Sequence, residues 1–294
     1  MVIGLTGATG FLGRQVASGA AAAGHTVIAY SRSERAAVAG AREVRAWSTE
    51  RPPDLRGCEA VVHLAGESVL GRWTPSKRAA ILESRVDGTR AVVAAMRNAG
   101  VRVLVSASAI GYYGDRGDTE VDESDSGGLG FLAEVTAAWE NEAMAAAVDG
   151  VRVVCTRFGL VLGREGGAWP MVRRGFSTGL GGRLGSGRQW MSWVHERDVV
   201  GLLLAAVADD RFRGPVNVVS PHPVTNSDFT RAVARVLHRP AVIPVPEAIL
   251  RALLRDQASL FLDSQRVRPR AALTMGYRFA FGTLSEALAE VAAK

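Results

Sequence analysis

The chain has 294 residues, of which 48% are apolar and 22% charged, with a formal net charge of +6. A chain of this length and composition buries a large core without staples and is not disordered. Only Lys77 and Lys294 are lysines; the other 33 basic residues are arginines, scattered among acids rather than clustered. That pattern argues against a nucleic-acid-binding patch but leaves an anionic small ligand open. No apolar run reaches the ~20 residues that span a bilayer. The N-terminus has no basic segment, and its glycines break a signal-peptide pattern. Cys58 and Cys155 make neither a disulfide framework nor a metal motif, so the expectation is a reduced, cytoplasmic protein with no metal and no membrane partner.

Val2–Thr6 is a short β-prone run. Gly7-Ala8-Thr9-Gly10-Phe11-Leu12-Gly13 follows, then an Ala-rich helix to about Ala23 closed by Gly24. Thr26–Tyr30, Ala60–Ala65, Val101–Val105 and Val151–Thr156 read as further strands. Helices are predicted at about Pro75–Asn98 and Leu129–Val148. Strands apolar on both faces and alternating with helices mean a parallel sheet covered on both sides.

After about Arg157 the pattern changes. Gly159–Gly187 is rich in glycine and arginine, with a short helix around Pro170–Phe176. Glu196–Ala208 reads as a helix returning to the sheet, and Val216–Val219 as a last strand. From Thr225 onward the chain is mostly helical, interrupted by Pro240, Pro244, Pro246 and Pro269. The fold class is α/β: a Rossmann doubly wound parallel sheet with a smaller, partly intertwined C-terminal α+β substrate domain. The expected boundaries are 1–160 for the Rossmann domain, with a returning segment at about 190–220, and 161–294 for the second domain.

Glycines at 7, 10 and 13 stand between the first strand and first helix. One makes the tight turn, one lets the backbone approach a pyrophosphate, and one lets the helix pack close. The helix N-terminus then offers free N–H groups to phosphate. An NAD site usually places an acid ~20 residues beyond the glycines, on the ribose hydroxyls. Here the second strand ends Tyr30-Ser31-Arg32-Ser33, with no acid before Glu34. Arg32 stands where a 2′-phosphate would be gripped, which favours NADP over NAD; a solvated surface arginine is the alternative.

These residues resemble the extended short-chain dehydrogenase/reductase superfamily, and within it the atypical epimerase family branch, related to NAD-dependent epimerases and dehydratases. The resemblance runs nearly end to end. It rests on Thr6–Gly13, His63–Glu67, Ser84-Arg85-Val86, Ser106–Asp118 (SASAIGYYGDRGD), Phe131–Glu140 (FLAEVTAAWE), and Gly185–His195 (GSGRQWMSWVH) with Asp198. It implies an NADP(H)-binding Rossmann domain and a small C-terminal substrate domain. The candidate cofactor-binding residues are Gly7, Thr9, Gly10, Phe11, Leu12, Gly13, Ser31, Arg32, Leu64, Ala65, Gly66, Glu67, Arg85 and Ser106.

The superfamily's Tyr-x-x-x-Lys pair is missing. Four residues beyond Tyr30, Tyr112, Tyr113 and Tyr277 stand Glu34, Arg116, Gly117 and Phe281. Aligned through Glu140, the tyrosine and lysine positions fall on Leu132 and Thr136, and the superfamily's usual asparagine corresponds to Arg85. The upstream serine survives as Ser108, which either binds a substrate or caps a turn. The candidate catalytic residues are Ser108, Tyr112, Tyr113 and Arg85. A tyrosine supported by an arginine field is one reading; packing of the aromatic pair is the other. Glu67 and Glu134 are either substrate-orienting acids or salt-bridge partners. Arg188, Trp190, Trp193 and His195 form the candidate substrate wall, with His195 otherwise a structural histidine. Asp198 reads as a first-turn acid. Three readings stay open: an NADP-dependent oxidoreductase or epimerase acting on a small molecule, a catalytically silent nicotinamide-binding sensor, and a partner-binding protein on an inherited fold.

Overall fold

The computed structural model describes residues 1–97, 99–179, 181–241 and 243–293. Asn98, at the end of a predicted helix, and Lys294 lie outside the described residues. The chain forms two compact units. The first comprises 1–109, 134–157 and 200–216; the second comprises 110–133, 158–199 and 217–294.

The first unit is built on a seven-stranded parallel sheet. Its strands are β1 (Val2–Thr6), β2 (Thr26–Ser31), β3 (Ala41–Ala46), β4 (Ala60–His63), β5 (Val103–Ala109), β6 (Arg152–Phe158) and β7 (Gly214–Val218). The order across the sheet is β7-β6-β5-β4-β1-β2-β3. The order reverses between β1 and β4, and ligands bind at the strand C-termini beside such a switch point. Register puts Thr6 beside both Tyr30 and His63, and His63 beside Ser106.

Helix α1 (Phe11–Ala22) buries Gly13, Val16, Ala17 and Ala20. That spacing of small apolar residues is one helical face. Helix α2 (Pro75–Met96) starts on a Thr74 cap with Pro75 in its first turn. Helix α3 (Phe131–Met144) is shorter than the predicted 129–148, because the chain tightens into a 3₁₀ turn over Ala145–Asp149. The core of this unit includes Tyr30, Leu55, Val61, Val92, Leu104 and Cys155.

Three sheet features differ from expectation. Strand β3 was not anticipated: Ala41-Arg-Glu-Val-Arg-Ala has no apolar run, and as an edge strand it is only partly buried. Strand β4 stops at His63, freeing Leu64–Glu67 as a loop. Strand β5 begins later than predicted and runs to Ala109, so Ser106 and Ser108 lie within it.

The second unit has no large sheet among its described residues. Helices α4 (Trp169–Ser177) and α6 (Asn226–Leu237) and the helix Leu284–Ala292 pack around Trp169, Trp193, Phe229 and Leu288. Helix α5 (Glu196–Ala208) begins in this unit and continues into the first. A smaller cluster gathers Ile110, Tyr113, Val121, Val219 and Val267. That packing assigns 110–133 to the second unit, although the sequence boundary near 160 put it in the first.

Buried Arg152 closes the C-terminal end of α5: its guanidinium donates to the carbonyls of Ala206 (2.7 Å), Val207 (2.8 Å) and Phe212 (3.0 Å). These carbonyls have few other partners at a helix end. Arg152→Met is expected to cost about 2–4 kcal/mol, since it strands several buried acceptors at once. The shift in urea midpoint measures it.

Candidate functional site

The glycine turn has three different reasons for its glycines. Gly7 sits at φ +67°, where a Cβ would lie 2.7 Å from the Leu64 carbonyl carbon and 2.8 Å from the Ala65 nitrogen. A Cβ on Gly13 would lie 2.1 Å from the Gly7 oxygen. Neither position tolerates a side chain. Gly10 is exposed, and a Cβ there would meet only the Gly7 oxygen, at 3.1 Å. It is the N-cap of α1 in extended conformation, and it supplies no capping side chain. First-turn amides without a side-chain cap are suited to a phosphate. Thr9 is exposed, and Phe11 and Leu12 are half-buried beside it.

Ser31 ends β2, and its hydroxyl accepts from Ser33 N at 3.3 Å. Arg32 beyond it is exposed. The loop after β4 is pinned at Glu67: Ser84 Oγ accepts from its N–H at 2.9 Å, and Arg85 donates to its carbonyl at 2.8 Å. The Glu67 carboxylate accepts from Lys77 Nζ. That hydrogen bond first, joined by the charges of Lys77, Arg32 and Arg85, outweighs desolvation and holds its pKa below the usual range.

Arg85 also donates to the Ile81 carbonyl and stacks over Trp139 at 5.0 Å. Burial pushes its pKa down to about 10. Ser106 is buried, its hydroxyl donating to the Ala107 carbonyl. Ser108, also buried, donates to Glu140 Oε1 at 2.5 Å. Arg157 grips that carboxylate with Nε and a terminal nitrogen, each at 2.8 Å. Glu140 and Arg157 are thus parts of the Ser108 environment that sequence reasoning passed over. A charged residue inside the apolar helix stretch 131–144 and an arginine in an apolar strand were the available signals.

In the second unit, Tyr113 is fully buried, and its single hydroxyl proton is shared between the Asp122 carbonyl at 2.9 Å and Asn217 Oδ1 at 2.8 Å. Tyr112 packs edge-on against it at 5.4 Å and borders Gly127. The packing reading therefore describes Tyr113, whose hydroxyl is held at Asp122 and Asn217. Trp190 is half-buried, donates to Asp118, and carries Arg266 over its ring at 4.7 Å; Arg188 is exposed. Trp193 and His195, expected on a substrate wall, are instead core residues with no exposed surface. His195 stacks on Phe281 at 3.8 Å and pairs with Glu290 at 3.0 Å. Asp198 is more than a first-turn acid: its carboxylate accepts from the backbone of Ala280 and Phe281. His195, Glu196 and Glu290 bring one ligand-type atom each within 4.8 Å of one another, but Arg164 and Arg197 already supply positive charge to Glu290.

A doubly wound parallel sheet whose first strand turns through three glycines into an uncapped helix defines a Rossmann-type nucleotide-binding protein. The sequence pattern of the NAD dependent epimerase/dehydratase family matches residues 3–220, and the chain belongs to that family. Residues 245–291 match a domain of unknown function, DUF1731. An epimerase family protein of Mycobacterium bovis, Mb2239, is 40% identical over 293 residues, covering 98% of this chain and 96% of its own. Human epimerase family protein SDR39U1, crystallised with NADPH, superposes with a TM-score of 0.91 at 34% identity over 99% of both chains. A nucleoside-diphosphate sugar epimerase from Corynebacterium glutamicum gives 0.82 at 32% identity, over 99% of this chain and 58% of that one. Among the described residues no helix is long and apolar enough to cross a membrane.

His63 ends β4 fully buried, its Nδ1 2.7 Å from Thr6 Oγ1 and its Nε2 3.1 Å from Thr89 Oγ1. Burial pushes its pKa down to about 4. An unfolded histidine titrates near ~6.5. Between these values the unfolded chain binds the additional proton, so this contribution is complete above pH 6.5 and declines as pH falls toward 4. The expected loss is about 3 kcal/mol over that window. Urea midpoints at pH 7 and 4.5 test it, and His63→Gln should flatten that part of the slope.

Proposed function

We propose that the chain is an NADP(H)-binding oxidoreductase or epimerase-like protein acting on a small molecule. The observation that carries this reading is the turn itself: the protein's own backbone excludes a side chain outright at Gly7 and Gly13, whereas Gly10 is an exposed N-cap where a Cβ would meet only the Gly7 oxygen, at 3.1 Å. That is the shape a pyrophosphate requires. Arg32, where an NAD site has an acid, supports the 2′-phosphate, as does the NADPH bound to human SDR39U1.

In this reading the first-turn amides of Phe11, Leu12 and Gly13 hold the pyrophosphate, and Arg32 the 2′-phosphate. The nicotinamide supplies the hydride acceptor or donor. The proton chemistry differs from that of the wider superfamily, because Leu132 and Thr136 occupy its tyrosine and lysine positions. Ser108 gives its proton to Glu140, so toward a ligand it offers lone pairs only. A substrate hydroxyl or amine that donates to Ser108 fits; a bare carbonyl does not. The missing Tyr-x-x-x-Lys pair favours one other reading, a nicotinamide-binding sensor without turnover.

Calorimetry should give tighter binding of NADPH than of NADH. Arg32→Asp should weaken NADPH by roughly ten- to a hundredfold, the worth of one or two charge-assisted bonds, and leave NADH little changed. Equal binding of both cofactors to the unmodified protein would overturn the reading. Gly10→Val should abolish binding of both cofactors while the melting temperature stays within a few degrees. NADPH oxidation or NADP⁺ reduction across a panel of small alcohols and carbonyls separates enzyme from sensor.

A further inference from the structure

Lys77 is one of only two lysines in a chain with 33 arginines. It sits in the first turn of α2, where its backbone N–H donates to the Thr74 cap at 3.2 Å. Its ammonium, largely withdrawn from solvent, donates to the Glu67 carboxylate, whose side chain is 44% exposed. The Glu67 backbone is clamped by Ser84 and Arg85, so the carboxylate springs from a fixed loop.

Three cations act on that one carboxylate: Lys77, Arg32 and Arg85. Arg85 is committed to two carbonyls and to the Trp139 ring. Lys77 holds Glu67 by direct contact, and Arg32 acts on it from across β1. The loop carrying Glu67 follows β4 and Arg32 follows β2, and β1 lies between these strands. Two strand spacings are ~10 Å, which leaves Arg32 within electrostatic range of the Glu67 carboxylate that Lys77 holds. Lys77, Arg32 and Glu67 sum to one positive charge, although two cations are present. A phosphate monoester carries about −1.5 to −2 at neutral pH, enough to match both.

We propose that Lys77 is a second cation of the 2′-phosphate site, and that Glu67 is an internal anion competing with the phosphate for Lys77 and Arg32. This rests on the NADP reading above. A phosphate held at Arg32 draws Lys77 away from Glu67, so NADP(H) binding exchanges one anion for another. NAD(H) has no group to make the exchange and leaves the Lys77–Glu67 pair closed. The pair therefore sets cofactor preference, beyond any part it plays in supporting the loop.

The test is calorimetric Kd values for NADPH, NADH, 2′,5′-ADP and 5′-AMP. Lys77→Met keeps the apolar stem and removes the charge. It should weaken NADPH and 2′,5′-ADP by about tenfold, one charge-assisted bond, with NADH and 5′-AMP unchanged within about twofold. Lys77→Arg should restore most of the loss. Glu67→Gln leaves Lys77 in place and removes its competitor, so it should tighten NADPH severalfold without tightening NADH. Equal weakening of both cofactors in Lys77→Met would mean a mere strut and overturn the proposal, as would a Glu67→Gln variant whose NADPH affinity falls or stays the same. Should Lys77→Met fail to fold, Glu67→Gln alone decides. If the unmodified protein prefers NADPH and Arg32→Asp abolishes that preference while Lys77→Met keeps it, the inference alone fails. If the unmodified protein shows no preference, the NADP reading fails and the inference with it.

Discussion

A methyl group on Gly13 would lie 2.1 Å from the Gly7 carbonyl oxygen. The first helix can approach the first strand only because that methyl is absent, and the turn can pass the loop after β4 only because Gly7 has no side chain either. With α1 pressed down on its small-residue face, Gly10 is left as an exposed N-cap without a side chain. The phosphate cradle is a by-product of two close backbone contacts. Its position at the switch between β1 and β4 follows from the strand order.

Around this cradle the buried polar groups of the sheet are satisfied in pairs. His63 lies between two threonine hydroxyls. Glu140 is shared between Arg157 and Ser108. Breaking such a pair leaves an uncompensated buried group, which costs far more than the intact pair is worth. The Glu140–Arg157 pair fixes the direction of the Ser108 proton, and so fixes what kind of hydrogen bond the serine has left to give. Chemistry in this sheet is constrained by satisfaction of the core.

The rim follows the opposite rule. Arg32 is exposed and the Glu67 carboxylate half-exposed, and ion pairs reached by solvent are worth little to stability even where, as at Lys77, one partner is largely covered. Their value lies in selection among anions. Arg85 shows the difference between the two regimes: next to the same carboxylate, but buried against Trp139 and two carbonyls, it has become a structural element of the loop.

The sequence by itself determined the parallel α/β architecture and the glycine turn, because apolar runs of strand length and glycines between strand and helix are local signals. It also exposed the absence of a Tyr-x-x-x-Lys pair, since two lysines are easily checked. Strand β3 was not legible, because an edge strand needs no apolar run. The separation of Ser108, Tyr113 and His195 into different environments was not legible either. All three sit in runs that read as functional, yet Tyr113 is bound by Asn217 across 104 residues of chain and His195 by Glu290 across 95. Only tertiary structure decides which hydroxyl or imidazole is consumed by a distant partner, because hydrogen-bond satisfaction in a core depends on what folding brings alongside. For the same reason Glu140, Arg157 and Lys77 gained their roles only when helix and strand were placed together.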